Sequence, residues 1–138
     1  MTALITAVGF TWIGMVLAMS FLEAPLRFRA PGVTLAIGLG IGRLVFRALN
    51  AVEGLFAIVV VLTALLGGVP RPILATALVV AVLLVVQLGA VRPVLNRRSN
   101  AVLAGQDAPR SRAHFAYLGL EVLKLAGLIV LGVQALIG

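Results

Sequence analysis

Glu53, Glu121 and Lys124 are ionisable side chains set inside stretches that are otherwise almost wholly apolar. A charge facing hydrocarbon costs at least a few kcal/mol, so each must pair, face protein or line a polar cavity. Buried carboxylates of this kind bind protons or cations, and arginines beside them bind anions. Arg43, Arg47, Asn50 and Glu53 follow one another at intervals of four, three and three residues, which on a helix makes one slanting stripe. His114, Tyr117, Glu121 and Lys124, at intervals of three, four and three, make a second. These eight residues are the candidate ligand-binding set. Both stripes are expected to face protein and each other, with Glu121 and Lys124 paired at i,i+3 and Arg47 and Glu53 partnered across the bundle. Two readings stay open: the charges sit at an interface, snorkel to headgroups and lock helix packing, or they line a cavity for a cation, a proton or an anion. No residue is assigned a catalytic role and no cofactor is specified. His114 is the single histidine and cysteine is absent, so an interfacial histidine is expected rather than a metal ligand. Met15 and Met19, four apart, read as packing rather than a copper site.

The elements that position these residues follow from composition. The 138 residues are 62% hydrophobic and 11% charged, with a mean hydropathy of +1.21, which excludes a water-soluble globule and leaves room for one domain, 1–138. A hydrocarbon core of roughly 30 Å takes about 20 helical residues to cross. Four runs meet that length, at 3–22, 44–67, 73–91 and 115–137. The expected fold is all-α and integral to a membrane, a four-transmembrane-helix bundle built of two helical hairpins. The first run is expected to be retained, since Glu23, Pro25 and Arg27 are poor cleavage flanks. The apolar stretch from Val33 to Ile41 reads as an early start to the second helix rather than a re-entrant segment. Within it Gly38 and Gly42 form a GxxxG pair of the kind that lets helices approach closely. The basic segment 92–112 reads as a solvated turn drawn to anionic lipid.

Ten of the eleven basic residues are arginine, and nine of them fall in two segments: Arg27, Arg29, Arg43 and Arg47 in one, Arg92, Arg97, Arg98, Arg110 and Arg112 in the other. Only Arg71 lies in the turn Gly67 to Pro72. The positive-inside rule then puts both Arg-rich loops in the cytoplasm and both termini outside, in what reads as a bacterial cytoplasmic membrane. The net charge of +7 is thus an orientation signal, and nucleic acid is not an expected partner. Pro25 precedes Glu53 by 28 positions and Pro93 precedes Glu121 by the same 28. This reads as two hairpins related in parallel, although shared constraints on crossing a membrane produce the same spacing.

The run Phe21-Leu22-Glu23-Ala24-Pro25-Leu26-Arg27-Phe28, with Gly42-Arg43-Leu44-Val45-Phe46 and Arg112-Ala113-His114-Phe115, resembles the four-span family typified by transmembrane protein 205 and its bacterial relatives. The resemblance covers most of the chain and implies a small polytopic membrane protein. The string Arg47-Ala48-Leu49-Asn50-Ala51-Val52-Glu53 is similar to the glutathione-contacting motif of the membrane-associated eicosanoid and glutathione metabolism proteins. That similarity implies that Arg47, Asn50 and Glu53 hold glutathione, with Tyr117 in the thiol-activating region. Three functions are therefore expected in order. The first is binding or transport of a small solute or ion through the polar seam, by a homo-oligomer or with a membrane-protein partner among membrane lipids. The second is a glutathione-dependent transferase, and the third a structural subunit of a larger membrane complex.

Overall fold

The structure is a computed structural model that describes residues 2–105 and 112–138, with side chains of the last segment described from residue 115 onward. It contains four long helices: α1 Thr2–Arg27, α2 Leu35–Leu66, α3 Arg71–Leu103 and α4 Arg112–Ile137. All four are long and apolar enough to cross a membrane. Each packs against its neighbours in the chain, and α1 closes the ring against α4, so the helices form a four-helix bundle.

The helix ends have local causes. Thr34 caps α2, its hydroxyl accepting the Ile37 N–H at 3.2 Å. With that cap in place the apolar stretch from Val33 enters the helix, so α2 starts at Leu35 rather than at 44. Gly68, at φ 63°, and Pro70 make the turn into α3. The segment expected to be a solvated turn, 92–112, is helical from Arg92 to Leu103. Its arginines, leucines and asparagines tolerate a helix, and Pro93 is accommodated rather than obstructive.

That accommodation is the same in both odd-numbered helices. A proline inside a helix lacks an N–H and its ring collides with the carbonyl four residues back, unless the turn widens. α1 widens to a π-helix over Leu17–Glu23 and α3 over Gln87–Val91. In each case the residue just before the proline donates five positions back, Ala24 N–H to Met19 O and Arg92 N–H to Gln87 O. Met19 with Gln87, Ala24 with Arg92, Pro25 with Pro93 and Glu53 with Glu121 all stand 68 positions apart. The two hairpins therefore share a backbone irregularity as well as a spacing.

Along the bundle axis the interior has three zones. At the end that holds both termini and the Gly67 to Pro72 turn, Ile5, Trp12, Val60, Val80, Leu128 and Leu131 pack into a solid apolar core. Buried polar groups occupy the middle. Beyond them, at the Arg-rich end, the helices separate around a cavity. The outer surface is apolar as well, Leu44 and Leu66 of α2, Val85 of α3 and Leu136 of α4 standing exposed. Water solvates so wide an apolar surface poorly, and it is compatible with a lipid surround.

Gly38 and Gly42 are both buried, but the space over them takes side chains rather than a helix backbone. A methyl group on Gly38 would overlap the Phe28 ring, and one on Gly42 would overlap the Arg27 guanidinium. Arg27 lies there because its guanidinium grips Glu23 with two hydrogen bonds, at 2.9 and 2.5 Å, and donates to the Gly38 carbonyl at 3.2 Å. This clasp ties the end of α1 to the start of α2. Gly38→Val and Gly42→Val are expected to destabilise the bundle by about 1–3 kcal/mol each through overpacking. Gly40→Ala, where a Cβ meets nothing within 4 Å, is expected to be neutral. Thermal unfolding in mild detergent measures all three.

Candidate functional site

The middle zone is an ion cluster to which every helix contributes. The Lys124 ammonium donates to a Glu53 carboxylate oxygen across the bundle. It also lies 2.6 Å from Glu121 Oε1 on its own helix and donates to Gln87 Oε1 of α3 at 2.9 Å. Ser20 of α1 donates to Glu121 Oε2 at 3.3 Å. Gln87 Nε2 donates in turn to the Tyr117 carbonyl at 3.4 Å. Exposure is 0% for Glu53, Gln87 and Lys124 and 1% for Glu121, so the charges are out of solvent altogether. The Glu53 Oε1 atom is buried without a hydrogen-bond partner among the described residues, as is the Trp12 indole nitrogen, which bears on Glu53 from α1.

Helical phase explains which expected residues arrive here. From Arg43 to Glu53 the intervals of four, three and three leave Arg47 and Glu53 about 120° apart around the axis. Glu53 therefore points into the bundle while Arg43 and Arg47 are exposed and Asn50 is half-buried. The expectation that the whole first stripe faces protein is thus corrected. In the second stripe Tyr117, Glu121 and Lys124 stay within about 60° of one another, and all three are buried. The i,i+3 pair of Glu121 with Lys124 forms as expected, and Glu53 finds its partner across the bundle. Arg47 does not. It lines, with Asn50, Arg43 and Arg92, an outer depression of about 600 Å³ that Glu53 does not reach. His114 falls in the first turn of α4, and its side chain lies outside the described residues.

From the ion cluster a cavity of about 220 Å³ runs to the Arg-rich end. Ser20 and Glu121 form its floor, and Arg27, Arg43, Phe46, Arg92, Arg98 and Tyr117 stand on its walls. The opposite end of the bundle is closed by the apolar core, so the cluster is approached from one side only. Three contributors were not in the candidate set read from sequence. Gln87 carried a signal, as the main polar residue of a Val- and Leu-rich span. Ser20 carried little, because a serine satisfies itself within a helix at small cost. Arg92 falls in the basic segment that reads as a solvated turn.

Comparison of the chain with protein-family models, with curated proteins and with solved structures finds no match in any of the three. The geometry of the cluster therefore carries the functional argument. Removing one partner of a buried ion pair strands the other charge, which costs about 3–5 kcal/mol. Lys124→Met, which leaves two carboxylates facing each other, is expected to lose that much, and Glu53→Gln in the same chain to recover part of it. A double-mutant cycle on the two positions, read by reversible unfolding in mixed micelles, gives the coupling.

Proposed function

We propose that the protein is a small polytopic membrane protein whose intramembrane seam binds a proton or small cation in the course of moving a solute. The observation that carries this reading is the charge count of the cluster. Two carboxylates share one ammonium at near-zero exposure, leaving one formal negative charge in a medium that solvates it poorly. One glutamate and one lysine would suffice to lock helix packing. The second carboxylate is in excess of what one ammonium neutralises, and a bound proton or small cation would balance it.

The surroundings support the same reading. Glu121 joins the cluster to the cavity, so a proton passed along water from the Arg-rich end meets it first, and Lys124 relays its charge state to Glu53. The apolar core beyond Trp12 and Leu128 is the barrier that a transport cycle has to open. In this reading the chain lies in a bacterial cytoplasmic membrane with its Arg-rich ends in the cytoplasm. The exposed apolar faces meet lipid and, in a homo-oligomer, a second copy.

The test is ion flux in reconstituted vesicles carrying a trapped pH dye and an imposed pH or potassium gradient, with candidate solutes added outside. Wild-type vesicles are expected to dissipate the gradient faster than empty ones when a solute is present. Glu53→Gln and Glu121→Gln are expected to abolish the difference without loss of helicity, while Arg71→Gln, in the turn at the far end, retains it. Flux equal to that of empty vesicles under every gradient and solute removes the reading.

A further inference from the structure

Arg92 is a guanidinium whose surroundings are built for stacking and place no carboxylate at ion-pair distance among the described residues. It sits half-buried between two rings, with its Cζ 4.8 Å from the centroid of Phe46 and 5.4 Å from that of Tyr117. The rings themselves meet edge to face at 6.3 Å, which fixes the slot. No carboxylate lies within ion-pair distance of Arg92 and no acceptor meets its N–H groups among the described residues. On the same cavity wall the Tyr117 hydroxyl is buried without a hydrogen-bond partner. A stacked guanidinium keeps its planar edge of donors free, and the unpartnered hydroxyl adds one more.

Charge balance around the cavity completes the pattern. Arg27 is taken by Glu23, and Glu121 on the floor shares the Lys124 ammonium with Glu53. Neither Arg43 nor Arg92 is in an ion pair among the described residues, so with Glu121 as the one carboxylate in the lining the walls carry a surplus of positive charge. The rest of the lining is mostly apolar, with Leu35, Leu39, Leu95 and Leu118 beside Ser20, Arg98 and Ser99. The volume of about 220 Å³ is several times the roughly 30 Å³ that one water occupies. A cavity lined by arginines, a tyrosine hydroxyl and several leucines fits a ligand with an anionic head and an apolar body.

We propose that this cavity is a binding site for a phosphate-headed amphiphile. Arg92 and Arg43 take the phosphate oxygens, the Tyr117 hydroxyl donates a further hydrogen bond, and the apolar chain lies along Leu39 and Leu95. Two arginines match a phosphate monoester, which carries more than one negative charge, better than a single carboxylate. The same chemistry is presented by a membrane phospholipid with a bare phosphate head and by a soluble alkyl phosphate ester. The site stands on the Arg92 slot and does not require Glu53 or Glu121 to carry a proton.

Isothermal titration of the purified protein in nonionic detergent, with dihexanoylphosphatidic acid, hexyl phosphate and inorganic phosphate as separate probes, tests it. Saturable binding of one amphiphile per chain is expected, with tighter binding of the diacyl probe identifying a lipid and tighter binding of hexyl phosphate a soluble ester. Arg92→Met is expected to weaken binding by about tenfold or more, and Arg92→Lys to weaken it too, because an ammonium neither stacks nor forks. Tyr117→Phe is expected to cost a smaller factor, and Arg71→Met none. Leu95→Trp, which fills the apolar wall while leaving Arg92 in place, is expected to abolish binding and keeps the test decisive if Arg92→Met fails to fold. Binding unchanged in Arg92→Met or Leu95→Trp overturns the proposal, as does inorganic phosphate binding as tightly as either amphiphile. Absence of binding by all three probes overturns it as well.

Discussion

A lysine ammonium held between two glutamates, with no solvent to share the charge, is the constraint around which the rest of the bundle is arranged. Lys124 can remain charged only while Glu53 reaches it from α2 and Glu121 from one turn away, so the rotation of α2 about its axis and its register against α4 are set together. Gln87 then has to come in from α3 to take another ammonium proton, and Ser20 from α1 to take a Glu121 oxygen. An apolar seam tolerates small slips and rotations, because one leucine contact replaces another. A buried ion cluster does not, since each lost partner strands a charge.

The prolines supply the second half of the arrangement. By widening the helix ahead of Pro25 and Pro93, the two π turns carry Ser20 and Gln87 into the polar layer, and both lie within the irregular segments themselves. Past these turns the helices bound a cavity instead of a core, and the Arg27 clasp onto Glu23 and Gly38 ties its rim. Each hairpin thus brings one widened turn, one proline and one glutamate. The symmetry is broken where function is argued. The position 68 before Lys124 is Phe56, packed against Trp12 with ring centroids 6.3 Å apart, and the position 68 before Arg92 is Ala24. Cation and guanidinium both belong to the second hairpin, so the cluster and the cavity lean to one side of the pseudo-symmetric frame.

Much of this was legible in the residues alone. Length and hydropathy determine four long apolar helices, because roughly 20 residues without charge have few other stable solutions. The placement of Glu53, Glu121 and Lys124 inside those runs marks them for pairing before any coordinates exist, and the i,i+3 spacing of the last two names one pair outright. The equal Pro-to-Glu spacings put a proline and a glutamate at matching points of the two hairpins. What a spacing does not carry is the phase at which a helix meets its neighbours. Arg47 and Glu53 share a stripe on paper, yet about 120° of rotation separates them, and only the packing of α2 against the other helices decides that Glu53 goes in and Arg47 out. In the same way a proline in a basic segment reads as the end of a helix. Whether the helix stops or widens and continues depends on the neighbours packed against it, and here it continues to Leu103 and brings Arg92 between Phe46 and Tyr117. The sequence by itself determined the helices and the charges that had to be buried. Tertiary structure decided which of those charges meet, because pairing in a low-dielectric interior is a property of three-dimensional proximity that one-dimensional order does not encode.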